Sequence, residues 1–129
     1  MRELTDHKVN PANDVLHVAA TDEPGSCGAC HRYEVRGFAT EKNPGYDADN
    51  DAELVILFQN GPIAEVGVNG VTHEALLAIL CDRMRGFQDG PYHSADNAEA
   101  LACMEQAQHA LQRRTKARMA RGVEGTHTV

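Results

Sequence analysis

The periodicity of the chain changes at about residue 71, and from there the sequence supports a helix, a tight break and a second helix. Thr72 is a good N-cap, with Glu74 in the first turn where a carboxylate favours the helix dipole. Leu76, Leu77, Leu80, Met84 and Phe87 recur at helical spacing, predicting a helix to about Gly86. Asp89-Gly90-Pro91 reverses the chain. Ser94 then caps a second helix, and Ala, Leu, Glu, Gln and Arg carry it to about Ala120 before Gly122 stops it. The expected product is an antiparallel helical hairpin.

The second helix is long for its chain, roughly 39 Å at a rise of about 1.5 Å per residue. Its inward face reads Asn97, Leu101, Met104, Gln108, Leu111, Thr115, Arg118. A helix buried wholly within its own chain carries a more apolar stripe. The mixture of leucines, amides and a cation predicts packing against another chain, most simply as an isologous dimer.

The first half has a different grain. Residues 1–12 are polar and expected to be irregular, and Asp14 to Ala20 reads as a first strand, closed by Glu23-Pro24-Gly25-Ser26. His31 to Phe38 alternates as a half-exposed strand, and the acidic loop Thr40–Asp51 follows with Asn43-Pro44-Gly45. Glu53–Gln59 is a nearly continuous apolar run, expected of a strand covered on both faces. After the turn signal Asn60-Gly61-Pro62, Ile63–Val68 is expected to return as its hairpin partner. The fold class is therefore α+β, a small, mostly antiparallel sheet followed by the helical hairpin. A single domain over residues 1–129 is expected, with a β-rich part at 1–70, the hairpin at 71–122 and a tail at 123–129.

Charge narrows the function. The formal net charge of −7 argues against DNA binding through a broad basic face. Yet Arg113, Arg114, Lys116, Arg118 and Arg121 cluster, while Glu41, Asp47, Asp49, Asp51 and Glu53 crowd the loop. Such localisation fits a small compact anion better than a long polyanion. No run reaches the ~18 apolar residues of a membrane span, and Met1–Lys8 lacks the apolar core of a signal peptide. A cytosolic location is expected. Cys27-Gly-Ala-Cys30-His31 matches a haem-attachment pattern and half of a zinc site, but no second paired motif completes it. It is read as a turn that carries two thiols, and neither a metal nor a cofactor is expected.

Four residues have the chemistry to hold a nucleotide. Phe87 offers a flat face for a purine, and Asn97 can donate and accept along a base or ribose edge. Arg114 and Arg118 stand four apart on one helical face with forked donors suited to a pyrophosphate. The same residues have a purely structural reading: a core phenylalanine, a first-turn asparagine, and arginines that favour a helix C-terminus. Asn97 and Arg118 lie roughly 31 Å apart along a straight helix, so one small ligand can meet both only across an antiparallel partner. No Gly-x-Ser-x-Gly, P-loop, Gly-x-Gly-x-x-Gly or His-Glu-x-x-His motif is present, and no nucleophile has an evident base. No catalytic residue is expected.

The runs Gln59-Asn-Gly-Pro62, Gly67-Val-Asn-Gly-Val-Thr-His-Glu-Ala-Leu-Leu-Ala78, Gly86-Phe-Gln-Asp-Gly-Pro91, Arg113-Arg-Thr-Lys-Ala-Arg118 and Ala120-Arg-Gly-Val-Glu-Gly-Thr126 resemble the phage Thoeris anti-defence sponge family, which shares a helical-hairpin module with an anti-CBASS sponge. Val9–Asp14, Asp22–Gly25 and His31–Glu34 are compatible with it. The resemblance implies a protein that captures cyclic ADP-ribose isomers made by bacterial TIR-domain proteins, holds them without cleavage, and works in the cytoplasm of the infected host. It further implies dimers, or hexamers built as trimers of dimers, with ligand between protomers. Phe87 would stack the base, Asn97 would give polar recognition, and Arg114 and Arg118 would take the phosphates. Where relatives are expected to have glycine- and asparagine-type residues near Gly25–His31, this chain has Cys27 and Cys30. The competing readings are a sponge for CBASS cyclic di- or trinucleotides, a small hydrolase of such signals, and a metal-stabilised module built on the two cysteines.

Overall fold

Alternating residues and a tight turn build a sheet from the first part of the chain. The computed structural model describes residues 1–46 and 53–129; Asp47, Asp49 and Asp51 of the acidic loop lie outside the described residues. Two compact units form, Met1–Asn60 and Gly61–Val129.

The first unit contains β1 (Arg2–Leu4), α1 (Pro11–Asp14), β2 (His17–Ala20), β3 (Arg32–Arg36) and β4 (Leu54–Leu57). The strands lie in the order β1-β2-β3-β4, each antiparallel to its neighbour. Tyr33 on β3 faces Ala20 and Ile56, and its ring meets Phe58 edge-on at 5.7 Å between centroids. Among the described residues of this unit, Ala20 and Cys30 are the buried apolar ones. The turn before β3 is organised by Asp22, whose carboxylate accepts from the backbone N–H groups of His31 (2.9 Å) and Arg32 (3.1 Å). The His31 hydrogen bond, chiefly, holds the Asp22 carboxyl below the usual aspartate range.

Four expectations for this unit change. Residues 1–12 are not irregular throughout: Arg2–Leu4 pairs with Val18–Ala20, and Pro11–Asp14 forms a helical turn capped by Asn10. The strand expected from Asp14 starts only at His17, because Asp14 ends α1 and Val15 caps it. The strand expected to reach Phe38 stops at Arg36, since Gly37 has φ +99° and a Cβ there would lie 1.8 Å from the Val15 carbonyl oxygen. Nor is β4 covered on both faces within the chain. It is an edge strand, and Leu54, Val55 and Leu57 are all exposed.

The second unit contains α2 (Ile63–Val66), α3 (His73–Asp89) and α4 (Ala95–Ala120). The strand expected over Ile63–Val68 is instead the helical turn α2. Gly61 (φ +95°) swings the chain, Pro62 sits at the N-cap with its φ already near the helical value, and the Val66 N–H bonds the Pro62 carbonyl at 2.9 Å. Thr72 caps α3 through the Ala75 N–H and Ser94 caps α4 through the Asn97 N–H. The first helix runs three residues past the predicted Gly86, to Asp89.

α3 and α4 pack side by side as a hairpin. Gln108 donates to the Glu74 carbonyl at 3.0 Å, and Arg85 pairs with Glu105 at 3.3 Å. Asn97, Leu101, Met104, Gln108, Leu111, Thr115 and Arg118 are all half-buried, so the stripe expected to pack against another chain is instead turned towards α3 and the C-terminal segment of its own chain. The packing is shallow: Cys81 is the buried residue of α3, and α4 has none. Ile79 and Leu80 are 64% and 50% exposed. Among the described residues no helix is long and apolar enough to cross a membrane.

Candidate ligand-binding site

The bend between α3 and α4 is locked by side chains acting on backbone. Gln88 Nε2 donates to the Ser94 carbonyl and Gln88 Oε1 accepts from the Ser94 N–H, both at 3.1 Å. Asn97, in the first turn of α4, donates its Nδ2 to the Tyr92 carbonyl at 3.2 Å. An amide that both donates and accepts can close such a ring with the N–H and C=O of one residue, and a carboxylate cannot.

That bend shapes a groove of about 490 Å³, lined by Ile79, Asp82, Arg83, Gly86, Phe87 and the stretch Gly90-Pro91-Tyr92. The size suits a nucleotide-sized ligand. Phe87 is half-buried and contributes to the groove wall, while Tyr92 stands 76% exposed at the rim. The Arg83 guanidinium carbon lies 5.0 Å from the Phe87 ring centroid, a cation–π contact one helical turn apart. Of the four predicted residues, Phe87 lines this groove, while Asn97 does not line it and spends its Nδ2 on the Tyr92 carbonyl of the bend.

Arg114 and Arg118 belong to the other end of α4, and a single chain does not bring all four together. Arg114 is exposed, and among the described residues no ion pair or hydrogen bond holds it. Arg118 is in the opposite situation, with its side chain only 13% exposed. Its Nε donates to Glu124 at 3.0 Å, Nη1 to the Thr128 carbonyl at 2.7 Å, and Nη2 to the carbonyls of Val123 (2.9 Å) and Thr126 (3.3 Å). Four of the five guanidinium protons are thereby committed, which leaves one on Nη1. In this arrangement Arg118 clasps the C-terminal segment, and the fork predicted for a pyrophosphate is occupied. The segment is tied at a second point where Ala64 donates to the Gly125 carbonyl at 3.2 Å.

The cysteine turn in the first unit is a separate feature. Cys27 is exposed with its Sγ 3.8 Å from His31 Nε2, while Cys30 is buried and donates to the Asp22 carbonyl at 3.4 Å. Among the described residues no three or more of His, Cys, Asp and Glu come together as a metal site.

Three features escaped the sequence reading: the Arg83–Phe87 contact, the Gln88–Ser94 ring and the Arg118–Glu124 clasp. Only the first had a usable signal, the i, i+4 spacing of a cation and an aromatic on one helix.

Residues 50–116 match the family described as Acb2/Tad1, hairpin domain. This span contains Phe87, Asn97 and Arg114, and ends before Arg118. The chain is also similar to Thoeris anti-defense 1 of Bacillus phage SBSphiJ7, at 44% identity over 70 residues, covering 54% of this chain and 49% of that protein. It spans about half the length of that relative. With the match taking in β4, the helical hairpin and its grooved bend, the chain belongs to the Acb2/Tad1 hairpin-domain family.

Proposed function

We propose that the protein is a phage anti-defence sponge that binds and sequesters cyclic ADP-ribose-type immune signals without degrading them, and so blocks Thoeris signalling in the cytoplasm of the infected bacterium. The observation that carries this reading is the hairpin itself. It matches the Acb2/Tad1 hairpin domain over residues 50–116, and a relative of 44% identity bears the name Thoeris anti-defense 1. Its bend supplies an aromatic groove and its far end an uncommitted arginine.

The two ends become one site when two chains pack antiparallel, as a homodimer that can assemble further as a trimer of dimers. The exposed Ile79 and Leu80, and an α4 with no buried residue, are what an unpartnered subunit shows. Phe87 then stacks the adenine, Asn97 meets a polar edge, and Arg114 of the other protomer binds the phosphates. Arg118 joins by exchanging tail carbonyls for phosphate oxygens. The role needs no nucleophile–base pair.

The test is to incubate the protein with cyclic ADP-ribose isomers and cyclic oligonucleotides, wash, denature, and identify what is released by mass. Unchanged cyclic ADP-ribose is the expected result. Cleaved product would make the protein a hydrolase, and retention of cyclic oligonucleotides alone would move the reading to a CBASS sponge. A monomer by light scattering that still retains ligand would overturn the composite site.

A further inference from the structure

Glycine is the poorest helix former apart from proline, yet Gly86 sits in the interior of α3, three residues before its end. The packing of the chain does not ask for it. A Cβ built at Gly86 meets no atom within 4 Å, its chain neighbours and own helix backbone aside, so alanine would fit. The helix needs no special backbone there either, for Gly86 is not among the glycines of positive φ. What does adjoin Gly86 is the groove, which it lines together with Phe87 and Arg83. Arg83 carries a charge that no carboxylate pairs among the described residues, and its guanidinium already lies against the Phe87 ring.

We propose that Gly86 and Arg83 are further residues of the ligand site, with Gly86 giving the clearance that lets a flat purine settle on the α3 surface beside Phe87. Arg83 is the cation that meets the purine-bearing anion there. Resting on the sponge reading above, this adds a width limit and a third arginine to it. A methyl group at residue 86 stands in the space that the purine occupies, and the arginine plane extends the stacking surface of the ring.

Gly86→Ala separates fold from ligand, because the two respond in opposite directions. Helix propensity raises Tm by about 2–5 °C, while retention of cyclic ADP-ribose falls at least tenfold. Arg83→Lys keeps the charge, loses the planar stack, and weakens binding about threefold to tenfold. Light scattering on each variant checks assembly. If wild-type protein binds and Gly86→Ala binds equally well, the inference is overturned and the sponge reading stands. Loss of the dimer in Gly86→Ala would assign the clearance to a subunit contact, which also overturns it. Should wild-type protein retain no cyclic ADP-ribose isomer, both fall together.

Discussion

The sheet unit and the hairpin unit treat their charges in opposite ways. In the sheet, Arg32 and Arg36 flank Glu34 at 2.9 and 3.1 Å, and Arg36 reaches on to Glu53 at 3.2 Å. Asp22 is satisfied by backbone N–H groups. In the hairpin, Arg83, Arg113, Arg114 and Lys116 have no ion-pair partner among the described residues, and Ile79 and Leu80 lie bare. The difference lies in the cations rather than the aliphatics, since β4 also leaves Leu54, Val55 and Leu57 exposed and the hairpin does pair Arg85 with Glu105 and Arg118 with Glu124. The four cations left over on the hairpin are what the proposed anionic ligand would meet.

The comparison breaks most sharply at Leu80. In an isolated hairpin, Leu80→Glu at a half-exposed position shifts stability by no more than about 0.5 kcal/mol. If a second copy covers that surface, the buried carboxylate weakens the dimer by more than a hundredfold, read as a loss of mass by light scattering. Arg114→Ala comes next. Loss of a forked phosphate contact costs about 1.5–3 kcal/mol, or roughly 10- to 150-fold in affinity, with Tm unchanged because no ion pair or hydrogen bond holds that side chain among the described residues. Unaltered capture would remove its phosphate role.

Arg118→Ala, unlike Arg114→Ala, costs stability as well as capture. It releases residues 123–128 and destabilises the hairpin unit by about 1–3 kcal/mol, seen as early proteolysis of that segment. If the tail stays protected, the clasp is not what orders it.

The smallest effect belongs to the sheet and depends on pH. The folded pKa of Asp22 is depressed, so its contribution is complete above the unfolded value of about 4 and is lost as pH falls through the folded value. The Tm advantage of wild type over Asp22→Asn should therefore shrink below about pH 4. A gap that stays constant down to pH 2 would remove the carboxylate from the stability of that turn.

What could be read in advance was what is local in the chain. Thr72 and Ser94 announce helix starts because their hydroxyls satisfy N–H groups only three residues on. The stripe from Asn97 to Arg118 followed from a single period. Arg2-Glu3-Leu4 has no pattern of its own and becomes a strand because β2 offers it a ladder. Ile63–Val66 has strand-like side chains, but the proline before it and the helix formers Ala64 and Glu65 within it favour a turn of helix. Of the candidate site, Phe87 was legible as a groove residue because its helical spacing places it at the end of α3, whereas the bond of Asn97 to the Tyr92 carbonyl was not. The occupied state of Arg118 was not, since three of its acceptors are carbonyls of a segment whose residue types say nothing about where they fold.

The ring closed by Gln88 and Ser94 bears on time as much as on shape. Loop ordering that is complete before an encounter does not have to be subtracted from the encounter, so a rigid turn favours long residence over rapid exchange. Under the proposed sequestration, an alarm stays silent only for as long as each captive remains bound.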